Sequence, residues 1–156
     1  GSVLVQAESG YAIAPTPASA ERAVDHAGTL TLHAGGSQVP GFGFGGTGRI
    51  RGFSGGWAIP EVGPHVFLLS DDAEADKPVG FYLRAVPLVG LGQVQDELTP
   101  MLTAQVSPGL LFHPASDATA LSLSLTAEYS GSPGLDYNRF WFGLSVGYAA
   151  AAVIRE

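Results

Sequence analysis

Arg49 and Arg51 in GRIRG lie on one face of an extended strand, so their guanidinium groups could together bind a carboxylate or a phosphate. A pair with Glu8 or Glu128 is the cheaper use for them. Gly43-Phe-Gly45-Gly46-Thr-Gly48 matches GxGxxG, but a dinucleotide loop needs a helix after it, and RIRGFSGGW offers none. Those glycines read instead as places where a strand twists or meets a bulky neighbour. The run Asp71, Asp72, Glu74, Asp76 lacks the turn glycine and distal Glu of a calcium loop and reads as a solvated turn. His26, His33, His65 and His113 have no HxxxH or HExxH spacing, so surface or strand-end positions and no metal are expected. No GxSxG elbow marks a nucleophile; Ser54 and Ser107 are ordinary, and Ser116 shares a turn with His113. Asp96 and Glu97 adjoin in a loop and point apart. No catalytic residue, no cofactor and no enzyme activity are expected.

Composition narrows the class. Charged residues are 13% of the 156, about half the usual share of a soluble domain. A water-facing surface so poor in charge tends to associate, so the shortfall needs a structural cause. Gly (22) and Pro (11) are abundant and no long helical period appears, which indicates strands and turns in a single domain over 1–156. The net charge of −7 argues against nucleic acid or an anionic membrane surface as partner. Absence of cysteine rules out disulfides and thiolate chemistry. No apolar run reaches the ~18 residues of a spanning helix. The opening Gly1-Ser2 reads as an added scar, so the start of the chain says nothing about a signal peptide.

Eight strands are predicted: 3–13, 29–34, 42–53, 65–69, 79–91, 101–112, 120–129 and 140–149. Between them lie PTPAS, GGSQVP, GWAIPEVGP, DDAEADKP, QVQDELTP, HPASD and GSPGLDYN, all rich in turn formers. Segment 17–26 reads as a mobile loop. Within the strands apolar residues alternate with small polar ones. Leu121, Leu123 and Leu125 face one way and Ser122, Ser124 and Thr126 the other; Phe140, Phe142 and Leu144 oppose Trp141, Gly143 and Ser145. Phe81, Leu83 and Leu102 likewise oppose Tyr82, Arg84 and Thr103. The fold class is all-β: an antiparallel up-and-down barrel of eight strands, the first closing on the last.

The minority face carries Gly, Ser, Thr and Gln105 with isolated charges at Glu8, Arg84 and Glu128. A water-facing sheet normally carries Lys and Glu, whereas the inside of a narrow membrane barrel takes small residues and paired charges. Glu8, Arg84 and Glu128 are therefore expected in one interior cluster, because an unpaired buried charge is costly. At this point the chain resembles the small eight-stranded outer-membrane barrels of the OmpA and OmpX kind. The resemblance is one of strand pattern along the whole length, strongest over 79–149 with its FWFGLSVGY. It implies a location in the bacterial outer membrane, a lipid bilayer or detergent as partner, and no open pore. A role in envelope structure, adhesion or partner recognition through the loops then follows. Tyr129, Tyr137, Phe140 and Trp141 bracket GSPGLDYN where an aromatic girdle would lie.

A second reading stays open. Pro87 and Pro108 fall inside strands and can bulge them, two strands are shorter than the ~9–11 residues of a tilted span, and the chain ends AAAAVIRE rather than on an aromatic. These features favour a soluble lipocalin-like barrel, periplasmic or cytoplasmic, that carries a hydrophobic small molecule or peptide. Phe140, Phe142, Leu144, Leu123 and Phe81 would then line its cavity. The two readings differ in which way the apolar face points.

Overall fold

A computed structural model describes residues 2–15, 24–39, 41–53, 58–70, 78–94, 97–112, 119–133 and 137–153. Eight strands result: β1 (Ser2–Pro15), β2 (Val24–Val39), β3 (Phe42–Phe53), β4 (Ala58–Leu69), β5 (Val79–Val94), β6 (Glu97–Phe112), β7 (Thr119–Ser132) and β8 (Tyr137–Val153). Each pairs antiparallel with the next, and β1 closes on β8 from Ser2↔Val153 to Ile13↔Phe142. The sheet is a closed barrel, the arrangement that alone leaves no strand edge to solvate.

Every strand but β3 extends beyond its expected range, and β2 and β4 are more than twice as long as expected. β2 begins at Val24 and β4 at Ala58, so Val24–His26 is strand rather than loop and IPEVGP is strand rather than turn. In β4 the residues that look like breakers, Pro60 and Pro64, sit on the outward face, and the chain continues through them. With strands of 12 to 17 residues, no span is too short. The expected turn GGSQVP becomes a strand end with a register shift between Gly36 and Val39. It closes at Gly41, whose φ of 78° is one that glycine adopts without strain. The GxGxxG segment lies wholly within β3; a side chain at Gly43 would run into the Phe67 ring. The acidic run 71–76, His113 and Ser116 lie outside the described residues.

Period-2 alternation holds along the described strands. Leu121, Leu123, Leu125, Phe140, Phe142 and Leu144 point outward, Leu125 and Phe140 each 62% exposed, as do Phe81 and Leu102. Pro87 and Pro108 cause no bulge: the pairing of β4 with β5, and of β6 with β7, keeps the same register on either side of them. Among the residues whose side chains are described, no Asp, Glu, Lys or Arg is exposed. That inverts the distribution on a soluble protein, where those four types are mostly outside.

The interior is layered. At the end where β1 runs into β2, Ala12, Ala14, Ala27 and Trp141 pack with Phe53. At the end holding the first and last strand termini, Tyr82, Leu111, Ala120 and Ala149 pack with Leu4 and Leu69. Between these apolar layers lie the buried charges.

Candidate functional site

The chemistry of this barrel is inside it, in two adjacent groups held by inward positions of successive strands. The first is a square of two cations and two anions. Arg49 and Arg51 project from β3, Glu61 from β4 and Glu128 from β7 across the barrel. Arg49 donates to Glu61 Oε2 at 2.7 Å and to Glu128 Oε1. Arg51 Nε lies 3.0 Å from Glu61 Oε1, and its Nη1 lies 3.4 Å from Glu128 Oε2 and donates to Ser130 Oγ at 3.2 Å. Each carboxylate thus bridges both guanidinium groups, and every member has 1–2% of its side chain exposed. The Arg51 guanidinium also stacks against Phe53 and Trp141, 5.2 and 5.5 Å from their ring centroids. Four charges of net zero, desolvated together and matched in geometry, make this burial tolerable.

The second group is a hydrogen-bonded chain with fewer charges. Glu8 Oε1 accepts from Gln6 Nε2 at 2.5 Å and Tyr82 OH at 3.2 Å, while Arg84 Nη1 stands off at 3.7 Å. Arg84 Nη2 donates to Gln6 Oε1 at 2.6 Å, so Gln6 links cation to anion. Glu8 Oε2 lies 3.3 Å from His33 Nε2. His33 Nδ1 and His65 Nδ1 each lie 2.8 Å from the Thr47 hydroxyl. A hydroxyl has one proton to give, so two neutral imidazoles cannot both accept from it. Glu8 accepts from His33 Nε2–H, which leaves His33 Nδ1 to accept from Thr47, and His65 Nδ1–H then donates to the Thr47 oxygen.

Glu8, His33 and Thr47 stand in the carboxylate–imidazole–hydroxyl order of a nucleophilic triad. All three are enclosed, however. His33 and Thr47 are 3% and 4% exposed and the Glu8 side chain 7%, which leaves no face of the three open to a substrate.

The structure brings the sequence candidates together differently from the expectation. Glu8, Arg84 and Glu128 are interior, but Glu128 joins the arginine square while Glu8 and Arg84 belong to the histidine chain. Arg49 and Arg51 are enclosed with Glu61 and Glu128, so neither faces an outside anion. Gln105 is interior and pairs in register with Glu128. His33 and His65 are buried at 3% and 2% exposure, against the expectation of surface or strand-end positions. His26 alone of the described histidines is outside, bonded to Tyr11. Glu61, Thr47 and Gln6 were missed. Their signal is parity: Glu61, His65 and Phe67 alternate with Val62, Val66 and Leu68, a pattern hidden by the prolines beside them.

The five candidate cavity residues also need correcting. Phe140, Phe142, Leu144, Leu123 and Phe81 point away from the barrel axis, because Trp141, Ser145, Ser122, Ser124 and Tyr82 take the inward positions beside them. Phe81, Leu123 and Leu144 border instead an outward groove of about 350 Å³ around Pro108. A second outward groove, about 480 Å³, lies around Pro87, Leu102, Ala104 and Tyr129. The rings of Tyr129 and Phe140 meet at 4.8 Å, tilted by 57°, on the same outer face.

Comparison with solved structures agrees with this geometry. The chain is similar to Neisserial surface protein A (NspA), with a TM-score of 0.69 at 16% identity over 96% of this chain and 98% of that one. The fold is that of a small outer-membrane β-barrel. The N-terminal β-barrel domain of Pseudomonas aeruginosa OprF is also similar, with a TM-score of 0.52 at 15% identity over 95% and 96% of the two chains. No protein-family model matches the sequence, and no curated protein matches it.

Proposed function

We propose that the chain is a bacterial outer-membrane barrel that spans the bilayer as a closed, ion-tight wall. It serves the envelope through structure or partner recognition and performs neither catalysis nor transport. The observation that carries this reading is the inverted surface: an apolar belt around all eight strands, with Arg49, Arg51, Glu61, Arg84 and Glu128 drawn inward. In water such a belt would drive aggregation, whereas in lipid each outward Leu or Phe is favourable. The packed interior, with its two apolar layers and its charge square between them, supports the absence of an open pore. Recognition is left to the segments that join the strands.

The test is to refold the full chain into phosphatidylcholine vesicles, follow the gel-mobility difference between unheated and boiled samples, and record current across a planar bilayer. A heat-sensitive folded band with no conductance steps is the expected result. A monodisperse folded protein in detergent-free buffer would refute the membrane reading. Stable conductance steps would refute the ion-tight one.

A further inference from the structure

The barrel wall is interrupted most widely between β4 and β5. These strands pair at Glu61↔Gly90 and Val62↔Val89, then not again until Val66↔Ala85, from where the ladder runs to Leu69↔Tyr82. The register is unchanged across the gap, so counting through it sets Pro64 opposite Pro87. Neither proline has an N–H to give, and a ladder that lacks donors from both sides cannot close. Gly63 marks the crowding there: a β-carbon would collide with the Pro87 carbonyl oxygen. The gap beside Pro108, between Val106↔Ala127 and Gly109↔Ser124, is narrower and has a proline on one side only. The ladders of β5 with β6 and of β7 with β8 run without interruption.

Behind this gap, on the inner face, stands His65. Its ring meets that of His33 edge-on at 5.5 Å, and both share the Thr47 hydroxyl. The groups around the pair come from every side of the barrel. β1 brings Glu8 and Gln6, β3 brings Arg49, β4 brings Glu61 and Phe67, and β5 brings Tyr82 and Arg84. Gln105 of β6, Ser124 of β7 and Ser145 of β8 complete the inner wall with neutral side chains, and Glu128 of β7 is engaged by the arginine square. With neutral imidazoles the charges balance, Glu8 against Arg84 and Glu61 with Glu128 against Arg49 with Arg51. A proton on either ring adds a cation for which the described side chains around the pair offer no further anion. Protons on both put two cations side by side, next to the weakest stretch of the wall.

We propose that the β4–β5 seam is an acid-released opening: protons taken up by His33 and His65 loosen this seam before any other, and the barrel's polar interior becomes reachable there. Imidazole in water ordinarily changes charge between pH 5 and 8, so mild acid favours the opened seam, in which the rings meet water and take up their protons. Local opening of a seam with few backbone bonds, ahead of the rest of a fold, is the ordinary form of such motion.

The experiment is amide hydrogen exchange on the full chain folded in vesicles, at about pH 7.5 and about pH 5, corrected for the intrinsic pH dependence of exchange. Protection in 61–69 and 82–90 is expected to fall by about tenfold or more on acidification, with less than about twofold change in 121–131 and 140–149. The double variant His33→Gln/His65→Gln should remove the acid response. Pro87→Val, which restores an N–H to the seam, should shrink it while leaving the histidines in place. An even loss of protection over all strands, no loss at all, or a response that survives the histidine replacements would overturn the proposal. Should the double variant fail to fold, the wild-type map and Pro87→Val decide by the same criteria: a seam-confined response that Pro87→Val shrinks supports it, and any other pattern overturns it.

Discussion

The two charged groups inside this barrel answer the same problem in different ways. Arg49, Arg51, Glu61 and Glu128 satisfy one another directly, each carboxylate between two guanidinium groups. Glu8 and Arg84 stand 3.7 Å apart and rely on neutral intermediaries, Gln6 and Tyr82 for the first contacts and His33, Thr47 and His65 beyond them. Removing any member of the square strands a charge. The chain is adaptable because its links can exchange donor and acceptor roles. A single narrow interior therefore holds a stabilising device and a responsive one side by side.

The contrast is open to mutation. Glu128→Ala should give the largest effect, about 3–5 kcal/mol of lost stability, because both arginines are then left to share Glu61 in a desolvated space. Urea unfolding of the vesicle-bound barrel measures it; a loss below about 1 kcal/mol, the range of exposed pairs, would show that water reaches the square. Arg84→Ala should cost less, about 1–3 kcal/mol, since Glu8 keeps Gln6, Tyr82 and His33 as partners. Equal costs for the two substitutions would erase the distinction between the groups.

Smaller effects sharpen the picture. Thr47→Val removes the hydroxyl that both imidazoles share and keeps the shape, so about 1–2 kcal/mol is expected in the same assay. An unchanged midpoint would mean that the imidazoles find other partners. On the outer face, Tyr129→Leu should cost about 0.5–1.5 kcal/mol through loss of its ring contact with Phe140. No change there would deny that pair a role in anchoring the barrel.

What the sequence made legible follows from which signals are local. In β7 and β8 alternation runs unbroken from Leu121 to Tyr148 apart from the turn, and strand, face and phase can be read directly. β3 was readable to its end residues. β4 was not, because Pro60, Gly63 and Pro64 carry turn chemistry, and only closure of the barrel on both sides holds them extended. Glu61 disappeared into that supposed turn and His65 read as the start of a short strand, so each polar group lost a member. The location of Glu8, Arg84 and Glu128 inside follows from parity along single strands. Which of them meet depends on register across the barrel, and no local pattern encodes that.

The most direct measurement concerns the belt itself. The chain has no cysteine, so single cysteines at Leu121, Leu123, Leu125, Ala127 and Tyr129 can carry nitroxide labels on an otherwise silent background. These five outward positions run along β7 from one end of the barrel wall towards the other. In vesicles the account expects labels at 123, 125 and 127 to collide with lipid-soluble oxygen and to be shielded from a water-soluble nickel chelate. Accessibility to nickel should rise only towards the ends of the series. Labels at 123, 125 and 127 that collide freely with nickel would contradict it, because the apolar face would then lie in water.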